Sequence, residues 1–181
     1  MTIGSSTVAV TMIWRWMYAP FGVINALLTA LGLPPVGWLT TPAWAMPAVI
    51  GMSVWQSLGH SIVIYLAGLQ GIPDSLYDAA AIDGAGAWGR IRHVTLPLLT
   101  PTIFFNLVLS IISTFQTFTS AFVATNGGPL DSTLFYVLYI FRQAFEYFNM
   151  GYASALAWVL FVIILVLTLL VVRTSDRWVY Y

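Results

Sequence analysis

Asn106, Ser110, Ser113, Thr117 and Ser120 recur at spacings of four, three, four and three, which at 100° per residue confines them to about 80° of one helix face. Thr114 and Gln116 flank the stripe, and Phe104, Phe105, Phe115, Phe118 and Phe122 set aromatic surface beside it. Hydroxyls and amides next to ring faces can recognise a polyhydroxylated solute such as a sugar. They carry no bond-making chemistry of their own. A second polar set, Ser53, Gln56, Ser57, His60 and Ser61, also falls on one helix face. Each set has two readings in an apolar setting. It lines a water-filled path, or it forms a seam of interhelical hydrogen bonds. For the stripe the two stand about even; for His60 the seam ranks higher. The candidate pathway residues are therefore Ser57, His60, Asn106, Ser110, Ser113, Thr114, Gln116, Thr117, Phe118 and Ser120.

Other chemistry finds little support. The chain has no Cys, which removes disulfides, thiolate metal sites and Cys nucleophiles. Its two histidines, His60 and His93, lie far apart in sequence on segments of different kind, a poor basis for a metal site. It also has no Lys, so the Walker phosphate loop cannot be written in it. Gly84, Gly86 and Gly89 spell G-x-G-x-x-G, but an Ala-rich helix precedes them where a dinucleotide site needs a buried strand. A net charge of zero gives no hint of nucleic acid.

The elements that hold these residues are membrane elements. Hydrophobic residues make up 60% and charged residues 7% of the chain, against roughly 25% charged in soluble domains. Complete spans are predicted at 48–69, 98–124 and 151–172, and none contains Asp or Glu. That absence argues against an embedded enzyme. At the start of the third span Gly151 and Ala155 offer a small-residue contact for another helix. The run 7–18, broken by Arg15, is too short to span. Segment 20–47 carries Gly22, Gly32, Pro34, Pro35, Gly37, Pro42 and Pro47, a density of breakers that predicts an interfacial segment holding one short helix at 21–31. Thr-Asn-Gly-Gly-Pro-Leu-Asp at 125–131 reads as a turn. The Tyr- and Phe-rich stretch 132–148 reads as an interfacial helix.

Between the first two spans lies 78–101, which holds four of the twelve charged residues. Asp74 or Ser75 is expected to cap a helix over 76–82, and Asp83-Gly84 to close it, because glycine takes the left-handed conformation at little cost. A short second helix from Ala87 carries Trp88, Ile91 and Thr95, and Pro97 is expected to open the next segment. Asp78-Ala79-Ala80, Asp83-Gly84-Ala85 and Pro97 with Pro101, at these spacings, resemble the EAA loop of binding-protein-dependent ABC importer permeases, carbohydrate branch. Asp78 replaces the family's usual Glu and Ile91 its frequent Phe. Gly127-Gly128-Pro129 is similar to a second landmark of those permeases.

The resemblance implies an all-α, polytopic integral membrane helix bundle with the ABC importer permease fold, lacking its N-terminal helices. Residues 1–181 would form one transmembrane domain, 73–97 a cytoplasmic coupling loop and 125–149 an extracytoplasmic loop with an interfacial helix. Asp78, Ala79, Ala80, Asp83, Gly84, Ala85 and Pro97 would couple to an ATPase. Implied partners are a second permease subunit, an ABC ATPase dimer that itself binds ATP and Mg, an extracytoplasmic solute-binding protein, a carbohydrate and membrane lipid. The implied location is the bacterial or archaeal cell (inner) membrane with the coupling loop and C-terminus cytoplasmic. Arg90, Arg92, Arg173 and Arg177 on that side against Arg15 and Arg142 on the other agree with positive-inside bias. A permease for another small solute, or a secondary transporter or channel subunit, remains as the alternative; ion coupling would want ionisable groups inside the spans, where His60 stands alone.

Overall fold

A computed structural model describes residues 6–180, and every described element is helical. The order is α1 (Thr7–Met17), α2 (Val23–Ala30), α3 (Pro42–Gln70), α4 (Asp74–Ile82), α5 (Ala87–Arg90), a π-helical turn (Ile91–Thr95), α6 (Leu96–Phe115), α7 (Thr119–Ala124), α8 (Tyr136–Phe141), a second π turn (Arg142–Glu146) and α9 (Met150–Ser175). Among the described residues three helices are long and apolar enough to cross a membrane: α3, the continuous run Ala87–Phe115, and α9. The chain forms two compact units, one of residues up to Gly59 with Phe115–Leu160, the other of His60–Thr114 with the residues from Phe161 onward.

In the first unit Val49, Met52 and Ala124 form a small buried core, with Trp14 and Phe135 packed on it. Rings run alongside from Trp55 to Trp14, Tyr18, Trp38 and Trp44, with centroids 5.3–5.6 Å apart. The breaker-rich segment is organised by Asn25, buried at 2% exposure. Its amide donates to the carbonyls of Ala19 and Val36 and its oxygen accepts from Val36 N–H and Trp38 Nε1, so one side chain satisfies the backbone of a segment too irregular to satisfy itself. In the second unit α3 and α6 approach closely at Gly68, where a Cβ would collide with the Thr102 side chain. The carboxy-terminal residues fold back on α6: Tyr180 N–H donates to Thr100 Oγ1, and Trp178 meets Phe104 edge-on at 6.2 Å.

Several expected boundaries move. α3 starts at Pro42 rather than 48 and takes Pro47 into its interior. Pro42 sits where helix N–H groups lack partners anyway, and Pro47 follows within two turns, so only one intrahelical bond is lost. The helix after the loop does not begin at 98: Pro97 stands inside a continuous helix, because the π turn just before it widens the backbone that its ring would strike. Pro101 leaves the Pro97 carbonyl unpaired by the backbone, and Thr100 Oγ1 donates to that oxygen at 2.6 Å. The same helix ends at Phe115, not 124. Gln116 to Phe118 break the helix, with Phe118 at φ −132° and ψ −61° outside helical geometry, and α7 restarts the chain. α4 is preceded by Pro73 with no side-chain cap, Asp74 lying in the first turn instead. The helix expected over 132–148 is confined to α8 and the π turn after it. Nothing approaches Gly151 within 4 Å of where a Cβ would sit, so the small-residue contact expected there does not form among the described residues.

Candidate functional site

The loop between α3 and α6 is shaped by α4 and its exit. Gly84 has φ +79°. Its N–H donates to Ala81 C=O at 3.0 Å and Ala85 N–H donates to Ala80 C=O at 2.9 Å, the reciprocal pair that closes a helix through a left-handed residue. Asp78, Ala79, Asp83 and Gly84 are exposed, Ala80 and Ala85 half-buried, and no residue of α4 is buried. Pro97, half-buried, stands two residues beyond Thr95, the last residue of the first π turn. Around the turn the loop shows exposed apolar surface: Ile82 is 87% exposed and Trp88 73%. Exposed apolar side chains on a fixed turn are what a docking element presents. One polar contact ties the loop together. Tyr77 OH and Thr95 Oγ1 lie 3.1 Å apart, linking α4 to the π turn.

The polar stripe divides. Asn106 is buried and its amide donates to Tyr65 OH at 2.9 Å and to Ser61 Oγ at 3.4 Å, so it belongs to a hydrogen-bonded seam between α3 and α6. Ser110, Ser113, Thr114 and Gln116 are exposed. The Ser113 hydroxyl turns back to Ser110 C=O at 3.1 Å. Thr117, Phe118 and Ser120 lie past the end of α6 and belong to the first unit, with Ser120 buried, so the single helical arc expected through all of them is interrupted. Phe118 stacks on Phe122 at 5.3 Å and meets Phe141 at 5.1 Å, and Phe145 extends the cluster from Phe141. On α3, Gln56 donates to Thr7 Oγ1 at 3.1 Å, which spends part of that polar face on packing against α1. Ser57 donates to Val54 C=O on its own helix, and His60 is exposed.

Comparison with known proteins decides the class. Residues 5–179 match the family model described as binding-protein-dependent transport system inner membrane component. The chain belongs to that family. It is 50% identical over 182 residues to a probable ABC transporter permease protein, YesP, of Bacillus subtilis (strain 168), covering 99% of this chain and 58% of the relative. It is 39% identical to the lactose transport system permease protein LacF of Rhizobium radiobacter, covering 92% of this chain and 57% of the relative. A solved bacterial alginate ABC transporter, in complex with an alginate pentasaccharide-bound periplasmic protein, contains a chain that superposes with a TM-score of 0.88 at 29% identity, covering 98% of this chain and 62% of that one. The chain thus spans a little over half the length of the curated relatives it matches.

In this inner membrane component the second landmark is also built. At 125–131, Asn126, Gly127, Leu130 and Asp131 all have positive φ, and the Gly128–Pro129 bond is cis. Thr133, fully buried, donates to Gly128 C=O at 2.8 Å and pairs with the Thr125 hydroxyl. Arg142 reaches the loop from the second π turn, donating to Asn126 C=O and, at 3.2 Å, to Asp131 Oδ1. Its guanidinium occupies the space a Cβ at Gly127 would need. Periodicity and motif spacing passed over Tyr65 and Tyr77, and gave Thr95 and Arg142 no part in these contacts. Tyr65 alone left a usable signal, standing one turn beyond Ser61 on the polar face of α3.

Proposed function

We propose that this chain is the membrane-spanning permease subunit of an ATP-driven, binding-protein-dependent importer of a carbohydrate, multi-pass in the cell (inner) membrane, and that it forms half of the translocation pathway. The loop 73–97 is cytoplasmic and is the element that couples to the ATPase. The observation that carries this reading is the loop itself: a family motif closed on a left-handed Gly84, with Ile82 and Trp88 held in the open beside it. A membrane chain gains nothing from two large apolar side chains in water unless another protein covers them. With no Lys for a phosphate loop, the nucleotide and its Mg belong to a separate ATPase dimer.

Mechanistically, ATP-driven closure of that dimer displaces the docked loop, and the attached helices tilt between outward and inward access. Ser110, Ser113, Thr114, Gln116 and Thr117 line the solute path with hydroxyl and amide groups, and Phe118 supplies ring surface at its end; Ser57 and His60 contribute from α3. A second permease subunit completes the path, and a solute-binding protein delivers to the face that carries 125–149. The named solutes of the relatives, lactose for one and an alginate pentasaccharide for the other, support a carbohydrate over another small solute. The deciding measurement is uptake by the transporter assembled with an ATPase, a second permease and a binding protein in proteoliposomes, across a panel of labelled mono- and oligosaccharides. Uptake of one sugar that needs both ATP and the binding protein is expected. Uptake driven by an ion gradient without ATP would establish the secondary-transporter alternative instead.

A further inference from the structure

Two observations about the loop are left unused by its docking role. The first is the π turn. A five-residue π segment, Ile91–Thr95, lies in the helix between the loop and the span and ends two residues before Pro97. Such turns are register defects, and they concentrate where helices change conformation. The second is the contact across it. Tyr77, half-buried on α4 like Ala80, stands one residue ahead of Asp78, and its phenol meets Oγ1 of Thr95, the last residue of the π turn. Thr95 Oγ1 also lies 3.5 Å from Arg90 C=O, the residue that opens the π turn. Either hydroxyl of the Tyr77–Thr95 pair can donate to the other, and the pair closes the distance between α4 and the π turn in both cases.

A wide helical turn without a brace is a flexible joint. If the joint bent freely, motion imposed on α4 would be absorbed there and would not reach α6. We propose that Tyr77 and Thr95 are positioning residues for coupling: their hydrogen bond latches α4 across the π turn so that the docked loop and α6 move as one body. This rests on the reading of 73–97 as the ATPase-coupling loop and assigns the joint within it. Neither residue touches solute or nucleotide. Their effect runs through the geometry of the loop.

The test uses Tyr77→Phe, which keeps the ring, and Thr95→Val, which keeps the branched shape, in the assembled transporter with its ATPase subunits and MgATP. Spin labels at Ser75→Cys on α4 and Phe105→Cys on α6 report the distance across the joint; both sites are exposed, and the chain has no other Cys. The expected result is one narrow distance distribution without the latch variants, the same with and without MgATP. In Tyr77→Phe the distribution broadens, and solute-stimulated ATP hydrolysis over basal hydrolysis falls roughly fivefold, the factor in equilibrium that one net hydrogen bond represents. Thr95→Val should match it, and the double variant should be no worse than either single. If Tyr77→Phe fails to assemble, Thr95→Val carries the test alone. A distribution as narrow in the variants as in the parent overturns the latch, as does a double variant whose losses multiply. If the parent chain neither binds the ATPase nor responds to MgATP, the coupling reading fails and the latch falls with it.

Discussion

Asn106→Leu isolates a member of the polar stripe whose side chain bonds residues of another helix. α6 runs from Leu96 to Phe115, so Asn106 lies at its middle, where a span of about 30 Å is deepest in hydrocarbon. Its amide bonds Tyr65 OH at 2.9 Å and Ser61 Oγ at 3.4 Å; the shorter contact is the stronger, and the longer is near the limit of a hydrogen bond. Interhelical bonds in membranes contribute about 0.6 kcal/mol on average and up to about 1.7. Leu keeps the volume but leaves the Tyr65 phenol oxygen without the N–H donor it accepts from, which sets the expected loss at about 1 kcal/mol. That is about a fivefold shift in the unfolding equilibrium. The measurement is a double-mutant cycle with Tyr65→Phe, followed by loss of helicity during titration of mixed micelles with a denaturing detergent. The expected coupling between the two sites is about 1 kcal/mol, with little change in KM for the transported sugar. Additive losses, with coupling below about 0.3 kcal/mol, together with a raised KM, would move Asn106 from the seam to the solute path and refute the division of the stripe drawn above.

Three further outcomes follow from the same geometry. Cys at Ser110 and Ser113 should react with a membrane-impermeant thiol reagent while Cys at Asn106 stays protected, because only a thiol reached by water ionises readily; equal reaction at all three would place water along the seam. Gly84→Pro should insert normally but fail to associate with the ATPase, since proline cannot adopt φ +79° and lacks the N–H that bonds Ala81, a strain of more than about 1 kcal/mol; normal co-purification of the ATPase would remove the coupling role. Arg142→Ala should free 126–131 and raise protease cleavage there about tenfold, the factor for about 1.4 kcal/mol of local opening; unchanged cleavage would mean that Thr133 alone holds the loop.

What could be seen in the sequence depended on how local its cause was. α9 was legible because its apolar run is unbroken and nothing competes with it. The exit of α4 was legible because one residue, Gly84, sets the backbone. The start of α3 was missed because Pro42 and Pro47 were read as breakers without regard to position, and a proline early in a helix removes donors that are idle or few. The π turn before Pro97 carried a hint in the proline itself, but not its answer: a proline can end a helix or be absorbed by a wider turn, and only the surrounding contacts choose. Tyr77 and Thr95 are 18 residues apart and Asn106 and Tyr65 are 41 apart, so neither pair produces a periodicity that a window can detect.

The stripe shows how a periodic signal overreaches. Thr117 and Ser120 kept phase with Asn106, Ser110 and Ser113, yet the helix had already ended. No glycine or proline marks the break at 116–118. Its visible correlate is aromatic: Phe118, at φ −132° and ψ −61°, lies outside helical geometry and packs with Phe122 and Phe141. Ring packing of that kind outweighs the one or two backbone bonds that a continued helix would keep. Position along α6 separates the polar residues. Asn106 lies at the centre, where an unpaired amide costs most and where the chain supplies Tyr65 and Ser61 as partners. Ser110 and Ser113 follow toward the end of α6, both exposed, and the Ser113 hydroxyl bonds the Ser110 carbonyl within its own helix rather than a neighbouring one.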